Sequence, residues 1–285
     1  LESNGSVWAF GYGAAGQLGQ GNTTSSLTPV QVPGLSGIVA IAAGYDSAYA
    51  LSANHSLFAW GDNSYGQLGN GTTTNATTAV PITGLGGVRS LAGGGFHVMA
   101  LDDSNTVYAW GDNSHGQLGN GTTTDSHVPI AIPGLGHVVS IGAGAFYSLA
   151  RLGNGTVFAW GDNTYGQLAN GTTTDSHVPI AIPSLANAVA LGQGSSASDS
   201  LIQGSDNSTQ RGGPEWAVLP NSQQPGRVSG WGHRALCDPA PIANCWPGPR
   251  GGGSRDRIRR DCRRVGRPWC CIGRAGSIER SGGHP

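Results

Sequence analysis

The stretch FAWGDNSYGQLGNGTTT at residues 58–74 returns as YAWGDNSHGQLGNGTTT at 108–124 and as FAWGDNTYGQLANGTTT at 158–174. Gly11, Gly61, Gly111 and Gly161 keep the same spacing of fifty, as do Gln17, Gln67, Gln117 and Gln167, and Gly44, Gly94, Gly144 and Gly194. Four copies fill residues 1–200 without an insertion or deletion. A period in this range marks a repeat architecture in which each copy is one structural unit that buries its faces only against its neighbours.

The content of one copy predicts four short strands. In the third copy these are HVVSIGAG, YSLARL, TVFAWG and VPIAI. Asn154-Gly155 between the second and third strands is a hairpin signal that calls for positive φ. A long Gly/Asn/Thr loop, DNTYGQLANGTTTDS, separates the third from the fourth. In TVFAWG, Val157 and Ala159 face one side and Phe158 and Trp160 the other, so both faces are apolar. A strand that is apolar on both faces is covered on both. A small sheet sandwiched between copies of itself is a propeller blade. The expected fold is therefore all-β, a partial propeller of about four four-stranded blades over residues 1–204. The first blade would lack its own first strands, because the chain opens at a boundary between second and third strands.

The fifty-residue frame together with WGDNSYGQLGNGTTT and the upstream line VAIAAG resembles the regulator of chromosome condensation repeat, over about 200 of 285 residues. The resemblance implies seven blades in complete members, so an open ring is expected here, with blade faces through which the chain self-associates. It also implies three kinds of activity. One branch of the family exchanges guanine nucleotide on a small GTPase through one face and an inserted wedge; no insertion breaks the frame here. A second branch is secreted and inhibits an enzyme by binding it with one face. A third is a plant photoreceptor with clustered tryptophans in a Gly-Trp-Arg-His-Thr pattern, which this chain lacks. The leading expectation is a non-enzymatic scaffold that presents loops to a protein partner, with an exchange-factor-like regulator or a secreted inhibitor-like propeller as alternatives.

Other chemistries fare less well. GYGAAG at 11–16 has the dinucleotide-binding glycine spacing, but loop follows it where a helix is required. Asp62, Asp112 and Asp162 hint at a calcium loop, yet the glycine falls one place early for that geometry; an Asp capping its own turn is the simpler role. Phe10, Trp60, Trp110 and Trp160 are read as packing between blades. The invariant Gln is read as a brace for loop backbone groups. No catalytic constellation, cofactor site or metal ligand set is expected. Nine Asn-X-Ser/Thr sequons come with the repeat's own Asn-Gly-Thr turns.

Positions that vary inside the fixed frame are the candidates for recognition. One is Ala15, Tyr65, His115 and Tyr165. A second is Asp46, Phe96, Phe146 and Ser196, followed by a third at Ser47, His97, Tyr147 and Ala197. The binding set is Tyr65, His115, Tyr165, Phe96, His97, Phe146 and Tyr147.

Composition changes where the repeat stops. Residues 1–200 carry ten acidic residues against Arg89 and Arg151, a net −8; residues 201–285 carry thirteen arginines against six acidic residues, a net +7, and all five cysteines. The acidic repeats disfavour nucleic acid as a direct partner, and no apolar run is long enough to span a membrane. No basic-plus-apolar leader precedes the repeats, so a signal peptide is absent or removed. Low charge with abundant Gly, Thr and Asn suits a secreted or surface bacterial protein, with a cytoplasmic location as the alternative. In the tail, 205–285, the cysteines form no C-x-x-C pair for zinc. Arg260-Asp261-Cys262-Arg263-Arg264, written with suitable codons and moved by one base, reads Ala-Ile-Ala-Ala-Gly, as at 40–44. The tail is expected to be an out-of-frame, disordered extension with silent Cys and Arg.

Overall fold

A computed structural model describes residues 1–182, 185, 187–192, 200–204 and 209–212. The readings of Gly194, Ser196, Ala197 and of the tail at 205–208 and 213–285 fall outside them; at 209–212, read from the sequence as part of a disordered tail, the chain instead forms a strand. Among the described residues there is no helix, and every element is a strand in an antiparallel sheet.

Three sheets are complete blades with strands in chain order. They are β3 (Ile38–Ala43), β4 (Ser47–Ser52), β5 (Leu57–Gly61) and β6 (Ala76–Ile82); β7 (Val88–Gly93), β8 (His97–Asp102), β9 (Val107–Gly111) and β10 (Ser126–Ala131); and β11 (Val138–Ala143), β12 (Tyr147–Leu152), β13 (Val157–Gly161) and β14 (Ser176–Ala181). Before them β1 (Trp8–Gly11) pairs with β2 (Ser26–Gln31), the equivalents of third and fourth strands. After them β15 (Ala188–Leu191), β16 (Ser200–Gly204) and β17 (Thr209–Gly212) form a three-stranded sheet. The all-β partial propeller read from the period is what the chain forms, including a first blade without its inner strands.

Local chemistry sets the strand ends. The hairpin joining second to third strands needs one residue at positive φ, and Gly5, His55, Asn105 and Gly155 supply it at 83°, 64°, 68° and 86°. At the top of each third strand the register shifts, and Gly61, Gly111 and Gly161 sit there at φ 102°, 100° and 103°. A Cβ on any of them would collide with the carbonyl of Asp46, Phe96 or Phe146 in the neighbouring turn. Glycine is required twice over, for the backbone angle and for the close approach.

The core lies between blades. Trp60, Trp110 and Trp160 are buried to 2%, 0% and 0% exposure. Trp110 joins Leu68, Ile82 and Tyr49 of the preceding blade in one cluster, and Trp160 joins Leu118 and Ile132 in the next. Each indole N–H donates to the backbone carbonyl of the preceding blade's glutamine, Trp60 to Gln17 at 3.0 Å, Trp110 to Gln67 and Trp160 to Gln117 at 2.9 Å. Phe10 occupies the same repeat position on the first sheet described and is 67% exposed. Beside it a cleft of about 590 Å³ is lined by Trp8, Phe10, Tyr12, Ile41 and Tyr45.

Trp110→Ala and Phe10→Ala alter one repeat position in two settings. Chemical denaturation should show a loss of about 3–5 kcal/mol for Trp110→Ala and under about 0.5 kcal/mol for Phe10→Ala. Equal losses would mean the interblade core is misplaced.

Candidate loop face

The turn between first and second strands and the long loop after the third strand emerge at the same end of every blade. The long loop is held by one asparagine. Asn63, Asn113 and Asn163 are fully buried. The Asn113 side chain donates to the carbonyls of Thr122 (3.0 Å) and Thr124 (2.9 Å) and accepts from the Leu118 N–H at 2.9 Å. Its own N–H donates to Asp125 Oδ1 at 2.8 Å. Asn63 and Asn163 make the same set. This hub was not singled out from sequence, although its lack of variation in three copies was visible.

The glutamine braces the loop as its chemistry suggested. Its side-chain Oε1 accepts from the N–H of the variable residue, Tyr65, His115 or Tyr165, each at 2.9 Å. Its Nε2 donates to Asp62, Asp112 or Asp162 at 2.6, 2.7 and 2.7 Å. The same aspartates cap the turn through Ser64, Ser114 and Thr164.

On this frame the rings of three blades meet. Tyr45 and Phe96 pack edge to face with centroids 5.1 Å apart, and Tyr65 lies 5.1 Å from Phe96. Phe96 is 6.3 Å from Phe146, and His115 is 5.4 Å from Phe146. A loop residue of one blade thus leans on a turn residue of the next. Tyr45, Tyr65 and Tyr165 are 40%, 39% and 55% exposed, whereas Phe96 and Phe146 are half-buried. Tyr45 was absent from the binding set drawn from the sequence.

His97 and Tyr147 stand elsewhere. They are the first residues of β8 and β12, 1% and 2% exposed, so they are not on the loop surface. His97 Nε2 lies 2.9 Å from Ser148 Oγ, which donates to the Gln117 carbonyl at 2.8 Å. Its Nδ1 is buried without a partner. Burial pushes its pKa from 6.5 down to about 4, against the upward pull of Asp112.

A link that periodicity hid joins two further loops. His115 Nδ1 lies 2.8 Å from Asp175 Oδ2 and 3.9 Å from Asp162 Oδ1. The ligand atoms of the three residues come within 4.8 Å of one another. Asp162 is already engaged by Thr164 and Gln167, and Asp175 by the Asn163 N–H, so the cluster is satisfied as a hydrogen-bonded tie between loops.

Stacked four-stranded blades presenting fixed loops at one end define a β-propeller of the repeat type. The RCC1-like domain profile matches residues 1–199, and the chain belongs to that family. Among solved structures it is similar to human WBSCR16, with 30% identity and a TM-score of 0.62 over 68% of this chain and 52% of that one. It is also similar to yeast RCC1 (Prp20) bound to Kap60, at 24% identity and TM-score 0.65 over 74% and 52% of the two chains. A third similar structure is Prp20p of Saccharomyces cerevisiae, described with its binding to Gsp1p and histones, at 22% identity and TM-score 0.64 over 78% and 60%. The chain therefore spans about half to three fifths of the length of these structures. No curated protein is matched at a significant level. Among the described residues no helix is long and apolar enough to cross a membrane.

His97 gives the fold a pH dependence. With its folded pKa below its unfolded value, the neutral ring contributes fully above pH 6.5, and that contribution is lost as pH falls toward 4. The span corresponds to about 3 kcal/mol. The stability gap between the wild type and His97→Ser should narrow over this window in pH-resolved calorimetry; a constant gap would mean the ring is not buried neutral.

Proposed function

We propose that this chain is a non-enzymatic propeller scaffold that binds a protein partner through the ring-bearing loop face. The observation that carries this reading is the continuous row Tyr45, Tyr65, Phe96, His115 and Phe146, half-exposed and anchored from beneath by invariant side chains. Rigid aromatic groups surrounded by a fixed polar frame offer large contact area at little entropic cost, which is what binding hot spots are built from. Two of the similar structures are described with protein partners, which is in keeping with a regulator that works by association.

The test is a photo-crosslinking amino acid at position 65 or, on the opposite end, at position 54, with extract from the native source. Adducts should form from position 65 and be competed by excess wild type but not by Tyr65→Ala/Tyr165→Ala. Alanine is tolerated at this site, since Ala15 makes the same backbone bond to Gln17 at 2.8 Å. Equal, uncompeted labelling from both ends would contradict the reading. Accelerated nucleotide release from a small GTPase by substoichiometric protein would replace the passive scaffold with the exchange-factor alternative.

A further inference from the structure

The two ends of the blades differ in charge. At the loop end stand Asp46, Asp62, Asp112, Asp125, Asp162 and Asp175, the first two and the last half-buried, Asp125 exposed. The two arginines of the repeats are at the other end, beside Glu2, Asp102 and Asp103. Arg89 donates to the Asp102 carbonyl at 2.9 Å and to the Val138 carbonyl at 3.0 Å, and Arg151 reaches the Ala188 carbonyl at 3.4 Å. Within residues 1–182 the loop face thus combines a row of rings with carboxylates and carries no Arg or Lys.

Rings flanked by carboxylates fit one chemistry better than others. A guanidinium stacks on an aromatic face while its N–H groups meet carboxylate oxygens, and it gives up its water more readily than an ammonium. An anionic segment would be repelled, and a purely apolar one would strand the exposed Asp125. The spacing narrows the occupant further. Phe96 and Phe146 stand at equivalent positions of successive blades with centroids 6.3 Å apart. Side chains two residues apart on an extended strand fall on one face about 6.6 Å apart.

Building on the protein-binding reading, we infer that the loop face binds an extended, arginine-rich protein segment with arginines at alternate positions. Successive guanidinium groups lie over the rings of successive blades, and their edges face Asp125 and Asp175. Tyr65 and His115 wall the row on the side of the long loops.

The repeat itself supplies variants that leave the loops intact. Asn75 occupies the place of Asp125 and Asp175 and accepts the same backbone bond, from Asn63 at 2.9 Å. Asp125→Asn/Asp175→Asn therefore removes two charges and keeps the backbone bonds, while also altering the Asp175 contact to His115; Asp125→Asn alone, which leaves that contact in place, serves as the control. The experiment is fluorescence anisotropy of the full chain with a labelled Arg-Ser-Arg-Ser-Arg-Ser-Arg peptide, its glutamate counterpart, and a composition-matched peptide with the arginines in one block. Wild type should bind the alternating peptide, at least tenfold more tightly than the glutamate peptide and more tightly than the block. The charge variant and a Tyr65→Ala/Phe96→Leu variant should each bind about tenfold more weakly while melting as folded proteins. Binding that is indifferent to the aspartate changes, or equal for the glutamate peptide, overturns the inference. If no peptide binds but the crosslink from position 65 persists, the cationic partner is wrong and the protein-binding face stands. If both fail, both fall.

Discussion

One glutamine per blade ties three things together, and the structure depends on that tie. The backbone carbonyl of Gln67 accepts the Trp110 indole N–H of the following blade and also the Tyr49 hydroxyl of its own. The side chain of the same residue fixes the N–H of Tyr65 and the carboxylate of Asp62. Packing between blades and presentation of the variable side chain are thus set by one residue. A loop of some fourteen residues with no strand of its own needs such a node, because ordering each backbone residue costs about 1–2 kcal/mol. Asn63 supplies the remaining bonds from inside, and the loop tip is fastened by the Gly71 N–H, which donates to the His127 carbonyl of the next blade at 2.9 Å.

The first copy shows how strictly this node is kept. It has Tyr12 where later copies have Asp, and Gly13 where they have the asparagine hub. Gln17 nonetheless holds the Ala15 N–H and the Trp60 indole, and its Nε2 donates to Asp46 of the next blade's turn at 2.7 Å. In the later copies the loop provides its own aspartate, and the turn position equivalent to Asp46 is occupied by Phe96 and Phe146. The carboxylate has two possible homes, and where the loop holds it the turn is released to carry a ring. The aromatic row follows from that exchange.

Much of this was legible in the sequence because periodicity reports equivalence. It gave the strands, the blade, the interblade tryptophans and the bracing glutamine. It also picked out Tyr65, His115, Tyr165, Phe96 and Phe146, which the structure gathers at one end. Equivalence does not report direction. Phe96 and His97 are adjacent, and the strand beginning at His97 turns one outward and the other into the core. Tyr147 is buried in the same way, as the first residue of a strand covered on both faces. Nor does a period of fifty reveal a contact at sixty: His115 meets Asp175 only because a long loop crosses to the next blade. Tyr45 was missed because its packing against Phe96 depends on neighbouring turns and not on its own position in the repeat.

The central claim is that the loop face is preformed, with loops locked as firmly as strands. Backbone hydrogen exchange read by mass spectrometry tests it most directly. Residues 62–71 and 112–121 should exchange about as slowly as the flanking strands β5 and β9, because their N–H groups are held by Gln, Asn and the next blade. Fast exchange across both loops, with the strands still protected, would contradict the account, since the rings would then have no fixed frame to stand on.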